Sequence, residues 1–223
     1  MTAAFKTSIW FYTILMALLC YSPVTNATSF NFANMSNQQN DKNITQHTDT
    51  ATFAAGCFWC VEALFQQLNG VQAVVSGYTD GHVVNPSYKE VCTGTTGHAE
   101  ACNIIYDPAL ISFEELLAAF FTAHDPTQLN RQGNDIGTQY RSGIYYHNES
   151  QKELAEFYIK KLNEAQAYNS PVVTEVKPAT VFYVAENYHQ DYYNQNGNEG
   201  YCRLVIQPKL EKFKKVFQEK LKK

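Results

Sequence analysis

The stretch TATFAAGCFWCVEALF, residues 50–65, decides how this chain is read. TATFAA reads as a short buried strand, and Gly56 breaks it. From Phe58 onward, Val61, Leu64, Phe65 and Leu68 recur at helical spacing, and Asn69-Gly70 supplies a stop. The order is strand, glycine turn, helix, with Cys57 at the helix N-terminus. Such a terminus carries about half a positive charge and unpaired N–H groups, which favour a thiolate. Cys57 is therefore expected to be a reactive thiol. Phe58 and Trp59 stand where polar first-turn residues would serve the helix better, so they suggest the wall of a small apolar pocket.

Working outward, VQAVVSGYTDG (71–81) is a second strand and NPSYKEVCTGTTGH (85–98) a loop rich in turn formers. AEACNIIYDP (99–108) is a third strand. SFEELLAAFFTAH (112–124) is a helix opened by a capping box of Ser112 and Glu115. A long polar loop, HDPTQLNRQGNDIGTQ (124–139), precedes a strand in YRSGIYYH and an amphipathic helix from Glu149 to Tyr168. VVTEVKP and TVFYVA are further strands, and ENYHQDYYNQNG (186–197) is a helical polar-aromatic segment. YCRLVI (201–206) is read as extended, and a basic helix starts at Pro208. Strands and helices are mixed, which favours an α+β or α/β sandwich over a parallel sheet.

The chain has 223 residues, 45% of them hydrophobic and 17% charged, which suits one globular domain with terminal extensions. A formal net charge of -4 leaves no electrostatic footprint for nucleic acid. Residues 1–27 have the layout of a signal peptide. Lys6 precedes an uncharged run from Ser8 to Cys20, and small residues end at Ala27, the expected cleavage point. The alternative is an N-terminal membrane anchor. Residues 28–48 are polar and asparagine-rich and read as a disordered linker. The catalytic unit is then 49–223, exported to a periplasmic or extracellular space, with no stable membrane insertion after processing. Removal of the segment holding Cys20 leaves Cys57, Cys60, Cys92, Cys102 and Cys202, an odd number, so at least one thiol is expected to be free.

The C-x-x-C of Cys57 and Cys60 admits three readings. A zinc site would need a second compact ligand pair, and the other cysteine spacings supply none. A dithiol redox pair fits the spacing. So does a single catalytic thiol with a resolving cysteine elsewhere. Glu100 shares a strand face with Cys102, Ile104 and Tyr106. On an apolar face a carboxyl stays protonated near neutrality and can act as a general acid. A strand-end glutamate turned to water is the competing reading.

Four blocks in chain order resemble the A-type peptide methionine sulfoxide reductases: GCFWC (56–60), GYTDGHVVNPSYKEVCTGTTGHAEA (77–101), HDPTQLNRQGNDIGTQYRSGIYY (124–146) and GYCRLVIQPKL (200–210). The resemblance covers most of residues 50–210. It implies an α+β fold: a two-layer α/β sandwich with a mixed sheet and ferredoxin-like core, a long C-terminal coil and a terminal helix. It implies reduction of methionine (S)-sulfoxide, free or in proteins, by a monomeric enzyme without metal or organic cofactor. The implied partner is an external dithiol reductant such as thioredoxin. Cys57 matches the nucleophile, Phe58 and Trp59 the walls around the substrate methyl, and Tyr88 and Tyr140 the hydroxyls that bond the sulfoxide oxygen. Glu100 matches the proton donor, Asp135 a carboxylate that sets the site through water, and Cys202 the resolving cysteine. Where many relatives carry glycine or another small residue, this chain has Cys60, the alternative resolving thiol. The runner-up function is a C-x-x-C dithiol-disulfide oxidoreductase. A rival of another class is a non-catalytic module that binds exposed methionine.

Overall fold

The computed structural model describes residues 48–223. The signal-like segment and the polar tract up to residue 47 lie outside the described residues, and the first strand opens at Asp49. In chain order the strands are β1 (Asp49–Ala55), β2 (Val71–Thr79), β3 (Ala99–Tyr106), β4 (Arg131–Gln132), β5 (Asp135–Ile136), β6 (Ser142–Tyr146), β7 (Glu175–Pro178) and β8 (Tyr183–Val184). The α-helices are α1 (Phe58–Phe65), α2 (Tyr88–Cys92), α3 (Phe113–Ala123), α4 (Glu149–Glu164), α5 (Tyr192–Asn196) and α6 (Gln207–Val216).

Six strands form one sheet in the order β7-β6-β1-β3-β2-β8. Only the β6–β7 pair is parallel, so the sheet is mixed, as the resemblance implied. β1 and β3 sit at its centre, which is why both read as nearly continuous buried runs. The sheet's period of two separates its faces. Phe53 lies opposite Cys102 and Ile144 and packs on Phe65, Phe113 and Phe120, so that face meets the helices. Ala54, Ala99, Ala101 and Tyr145 form the other face. Small side chains there let the coil after β7 lie close, with Ala179 and Phe182 packed on them. Phe182 covers Gly77, where any Cβ would collide with its ring.

Helix α1 is buried at every position except Trp59, as expected for a helix that is apolar all round. It packs on β2 and β3 from the helical face. α3 opens on the capping box read from the sequence: Glu115 N–H donates to Ser112 Oγ at 3.2 Å and Ser112 N–H to Glu115 Oε2 at 2.8 Å.

Four segments differ from their sequence reading. NPSYKEVCTG is not all loop. It holds α2, opened by a second capping box in which Ser87 N–H donates to Glu90 Oε2 at 2.8 Å. The polar loop after α3 contains the small β4–β5 hairpin. The amphipathic helix α4 stops at Glu164 rather than Tyr168. YCRLVI is helical: Cys202–Ile206 forms a wide π-type turn that runs into α6. Its β-branched residues suggested an extended piece. Burial of Cys202 and Ile206, with Leu204 left exposed, fits a helix instead. Pro208 has no N–H to give, and a widened turn accommodates that loss. Among the described residues no helix is long and apolar enough to cross a membrane.

Candidate active site

Gly56 makes the bend that presents Cys57. Its φ is +86°, and a Cβ there would lie 2.6 Å from Gln132 Cβ. Gly56→Ala should therefore cost about 2–4 kcal/mol of stability, from backbone strain plus the collision. Denaturant unfolding measures this, and an unchanged midpoint would contradict the assigned backbone.

Cys57 is the N-cap of α1, and its carbonyl accepts from Cys60 N–H at 3.1 Å. The residue is 8% exposed. Burial pushes its thiol well above the usual range, reinforced by the neighbouring Cys60 and by Glu100. The terminus of the helix does not win. A helix end contributes at most about 2 kcal/mol, whereas full burial shifts a thiol by several kcal/mol. Cys57 therefore rests as a thiol, not as the thiolate expected from its position alone.

The charge is better held one turn on. Cys60 is drawn below the usual thiol range, first by the hydrogen bond from Cys57, then against burial by Lys209 and Tyr201. Lys209 Nζ and Tyr201 Oη each lie 3.9 Å from Cys60 Sγ. Of the two sulfurs, Cys60 is thus the one that gives up its proton more readily.

Glu100 is buried on the face toward α1, opposite Tyr78, and not turned to water. Its Oε2 accepts from the Phe58 N–H at 3.1 Å, while Oε1 has no partner among the described residues. Burial, helped by the charges of Asp135 and Cys60, raises its pKa to about 8, against the pull of the Phe58 N–H. Near neutrality it is a protonated acid with one oxygen uncommitted. Tyr88, the first residue of α2, and Tyr140, in the short helical turn Thr138–Tyr140, are half-buried. Burial and then the Glu100 charge push both phenols upward, so both remain hydrogen-bond donors. Asp135 lies at β5, where its Oδ2 accepts from Tyr201 Oη at 2.8 Å.

Phe58 and Trp59 form an aromatic wall. Phe58 stacks on Tyr88 with centroids 6.3 Å apart. Trp59 stacks flat on Tyr192 at 3.7 Å, with 6° between the rings. Its indole N–H donates to His189 Nδ1 at 3.1 Å. Cys202 is fully buried at the start of the π-type turn and senses Cys60, whose charge helps raise its thiol after burial. In the described conformation Cys60 is hydrogen-bonded to Cys57. Cys102 packs inside the sheet, donating to Phe58 O at 3.5 Å, while Cys92 is exposed on α2. All five of these cysteines are free.

Sequence reasoning missed Tyr201, Lys209, His189, Tyr192, Glu62 and Glu186. The polar-aromatic segment at 186–197 was the signal for several of them. It crosses the site as a strap. Glu186 accepts from Tyr78 Oη and from the Tyr88 N–H, each at 2.9 Å. Buried Glu62, its pKa raised to about 7 by desolvation, accepts from the N–H groups of Asp191 at 2.8 Å and Tyr192 at 3.2 Å. These bonds hold His189 and Tyr192 against Trp59.

The assembled side chains are an acid, two phenols and a thiol beside a second thiol, next to an aromatic wall. They fit a small substrate with an apolar group on one side and an oxygen that must be protonated on the other.

The family model described as peptide methionine sulfoxide reductase matches residues 49–221. A peptide methionine sulfoxide reductase MsrA of Natronomonas pharaonis is 52% identical over 174 residues, spanning 78% of this chain and 98% of that protein. MsrA 1 of Rhodopirellula baltica is 55% identical over 174 residues, spanning 78% and 90%. The crystal structure of Mxr1 from Saccharomyces cerevisiae in reduced form matches with a TM-score of 0.64 at 35% identity, over 72% of this chain and 94% of that one.

Proposed function

The chain belongs to the peptide methionine sulfoxide reductase family and reduces methionine sulfoxide to methionine, and we propose that Cys57 carries the chemistry as its nucleophile. A sulfoxide sulfur accepts a nucleophile poorly until its oxygen is protonated. In this reading Cys57 Sγ attacks that sulfur and its thiol proton passes to Cys60. Glu100 gives its proton to the oxygen. Tyr88 and Tyr140 donate hydrogen bonds to the same oxygen, and Phe58 and Trp59 take the substrate methyl. Methionine leaves, and the hydroxyl stays on Cys57 as a sulfenic acid.

Cys60 then attacks Cys57 Sγ. The S–S bond forms, the S–O bond breaks, and the hydroxyl leaves as water with the proton Cys60 held. The sulfenic sulfur is reduced and the Cys60 sulfur oxidised. Cys202 exchanges onto this disulfide in a second step, and an outside dithiol such as thioredoxin returns all thiols to the reduced state. Two electrons and two protons are consumed per sulfoxide. The substrate is the S epimer, free or in proteins. The N-terminal layout around Lys6, Ser8–Cys20 and Ala27 supports an exported enzyme that repairs oxidised methionine outside the cytoplasm.

The observation that carries the reading is Glu100: a buried, protonated carboxyl whose Oε2 is tied to the helix turn that bears Cys57 and whose Oε1 is uncommitted. A general dithiol-disulfide exchanger needs no such acid, so that alternative is not favoured. The test is Cys60→Ser without reductant. It should release one methionine per chain, more slowly than the parent. If no methionine appears, Cys57 does not act as a single nucleophile.

A further inference from the structure

Cys60 lies in a charged enclosure that the reaction described so far does not fully use. It rests on the reading that Cys60 resolves the Cys57 sulfenic acid. The groups that face Cys60 are Cys57 at the start of α1, Glu100 on β3, Asp135 on β5, Tyr201 and Cys202 before α6, and Lys209 in the first turn of α6. Among them Lys209 is the one cation. Its ammonium has no carboxylate within ion-pair distance among the described residues, and its one hydrogen bond goes to Cys60 Sγ at 3.9 Å. Buried His124, whose pKa is pushed down to about 4 by burial, also senses Lys209 and stays neutral beside it. The charge of Lys209 is thus left for the sulfur.

We propose that Lys209 holds Cys60 as the thiolate that closes the Cys57–Cys60 disulfide, and so sets the rate of the resolving step and its pH dependence. In the resting enzyme the strongest stabiliser of a Cys60 thiolate is the hydrogen bond from the Cys57 thiol. That donor is consumed when Cys57 becomes a sulfenic acid. What then remains on the favourable side is Lys209 and the Tyr201 hydroxyl, set against burial first and Asp135 after it. Only the thiolate is a competent nucleophile. Lys209 is therefore most needed in the second step, when Cys60 gives its proton to the leaving hydroxyl and forms the S–S bond.

The test separates the two steps in the full chain. One equivalent of a methionine sulfoxide peptide is mixed with reduced enzyme, free thiols are alkylated at intervals, and disulfides are mapped by mass across a pH series. Methionine release is counted in the same samples. Lys209→Met should close the Cys57–Cys60 disulfide roughly tenfold more slowly at pH 7, the effect of one pKa unit on the thiolate fraction. Its pH midpoint should move upward, so the deficit shrinks as pH rises. One methionine per chain should still appear, and Lys209→Arg should restore most of the rate. If Lys209→Met does not fold, Lys209→Gln carries the same expectations. In the parent, Cys60 should be alkylated with a midpoint below that of an ordinary thiol.

A parental rate and midpoint in Lys209→Met would overturn the proposal. So would a deficit equal at every pH that Lys209→Arg does not repair, since that is a packing effect. A parent enzyme whose first disulfide maps to Cys57–Cys202 would remove the role of Cys60 as well. A parent that releases no methionine would instead refute the nucleophile assignment beneath it.

Discussion

Cys57→Ser abolishes methionine release, with a loss of at least about 10⁴-fold, the scale on which a catalytic nucleophile is missed. The reason is electronic as well as geometric. A serine hydroxyl in the same N-cap position ionises far less readily than a thiol and attacks sulfur poorly, and it has no sulfenic acid to form. The Cys57 side chain makes no capping hydrogen bond, so replacing it removes no helix cap, and the fold should persist. Unfolding midpoint and circular dichroism check that the variant is folded, and a single-turnover assay checks the loss. A folded Cys57→Ser enzyme that still produces methionine would move the chemistry to another cysteine.

Glu100→Gln comes second in size, with methionine release slowed by about 10²- to 10⁴-fold, the usual worth of a positioned acid. The amide keeps the shape of the carboxyl and can still accept from the Phe58 N–H. It cannot deliver a proton. Substrate binding should therefore be nearly unchanged while the chemical step falls. The pH profile adds a second readout. With its pKa raised to about 8, Glu100 is a working acid below that value and is lost as an acid when pH rises through it. Single-turnover release in the parent should then decline above about pH 8, apart from any gain from Cys57 ionisation. The Gln variant should lack that declining limb. An unchanged rate in Glu100→Gln would take Glu100 out of the acid role.

Much of this site was legible because its parts are local. The strand, glycine turn and helix of residues 50–65 follow from periodicity and one breaker, and they position Cys57, Phe58 and Trp59. Alternation along β3 put Glu100 on the face of Cys102, Ile104 and Tyr106, which is the face that meets α1. The capping box at Ser112 was read directly. The same signal stands at Ser87 and Glu90, masked by the surrounding run of turn formers, and it opens the helix that carries Tyr88.

What could not be read is long-range. The thiol state of Cys57 is decided by burial, which no local pattern reports. His189, Tyr192, Tyr201 and Lys209 lie more than a hundred residues from Cys57 in sequence and reach its neighbours Trp59 and Cys60 only through the fold. The helical state of Cys202–Ile206 likewise depends on what buries Cys202 and Ile206.

The central claim is that one thiol, Cys57, takes the sulfoxide oxygen. Its most direct test is a Cys60→Ser, Cys202→Ser double variant mixed with one equivalent of a methionine sulfoxide peptide and a 1,3-diketone that traps sulfenic acids. The account predicts one methionine per chain and a single diketone adduct, mapped by mass to Cys57. Absence of methionine, or an adduct on Cys92 or Cys102 in place of Cys57, would contradict it.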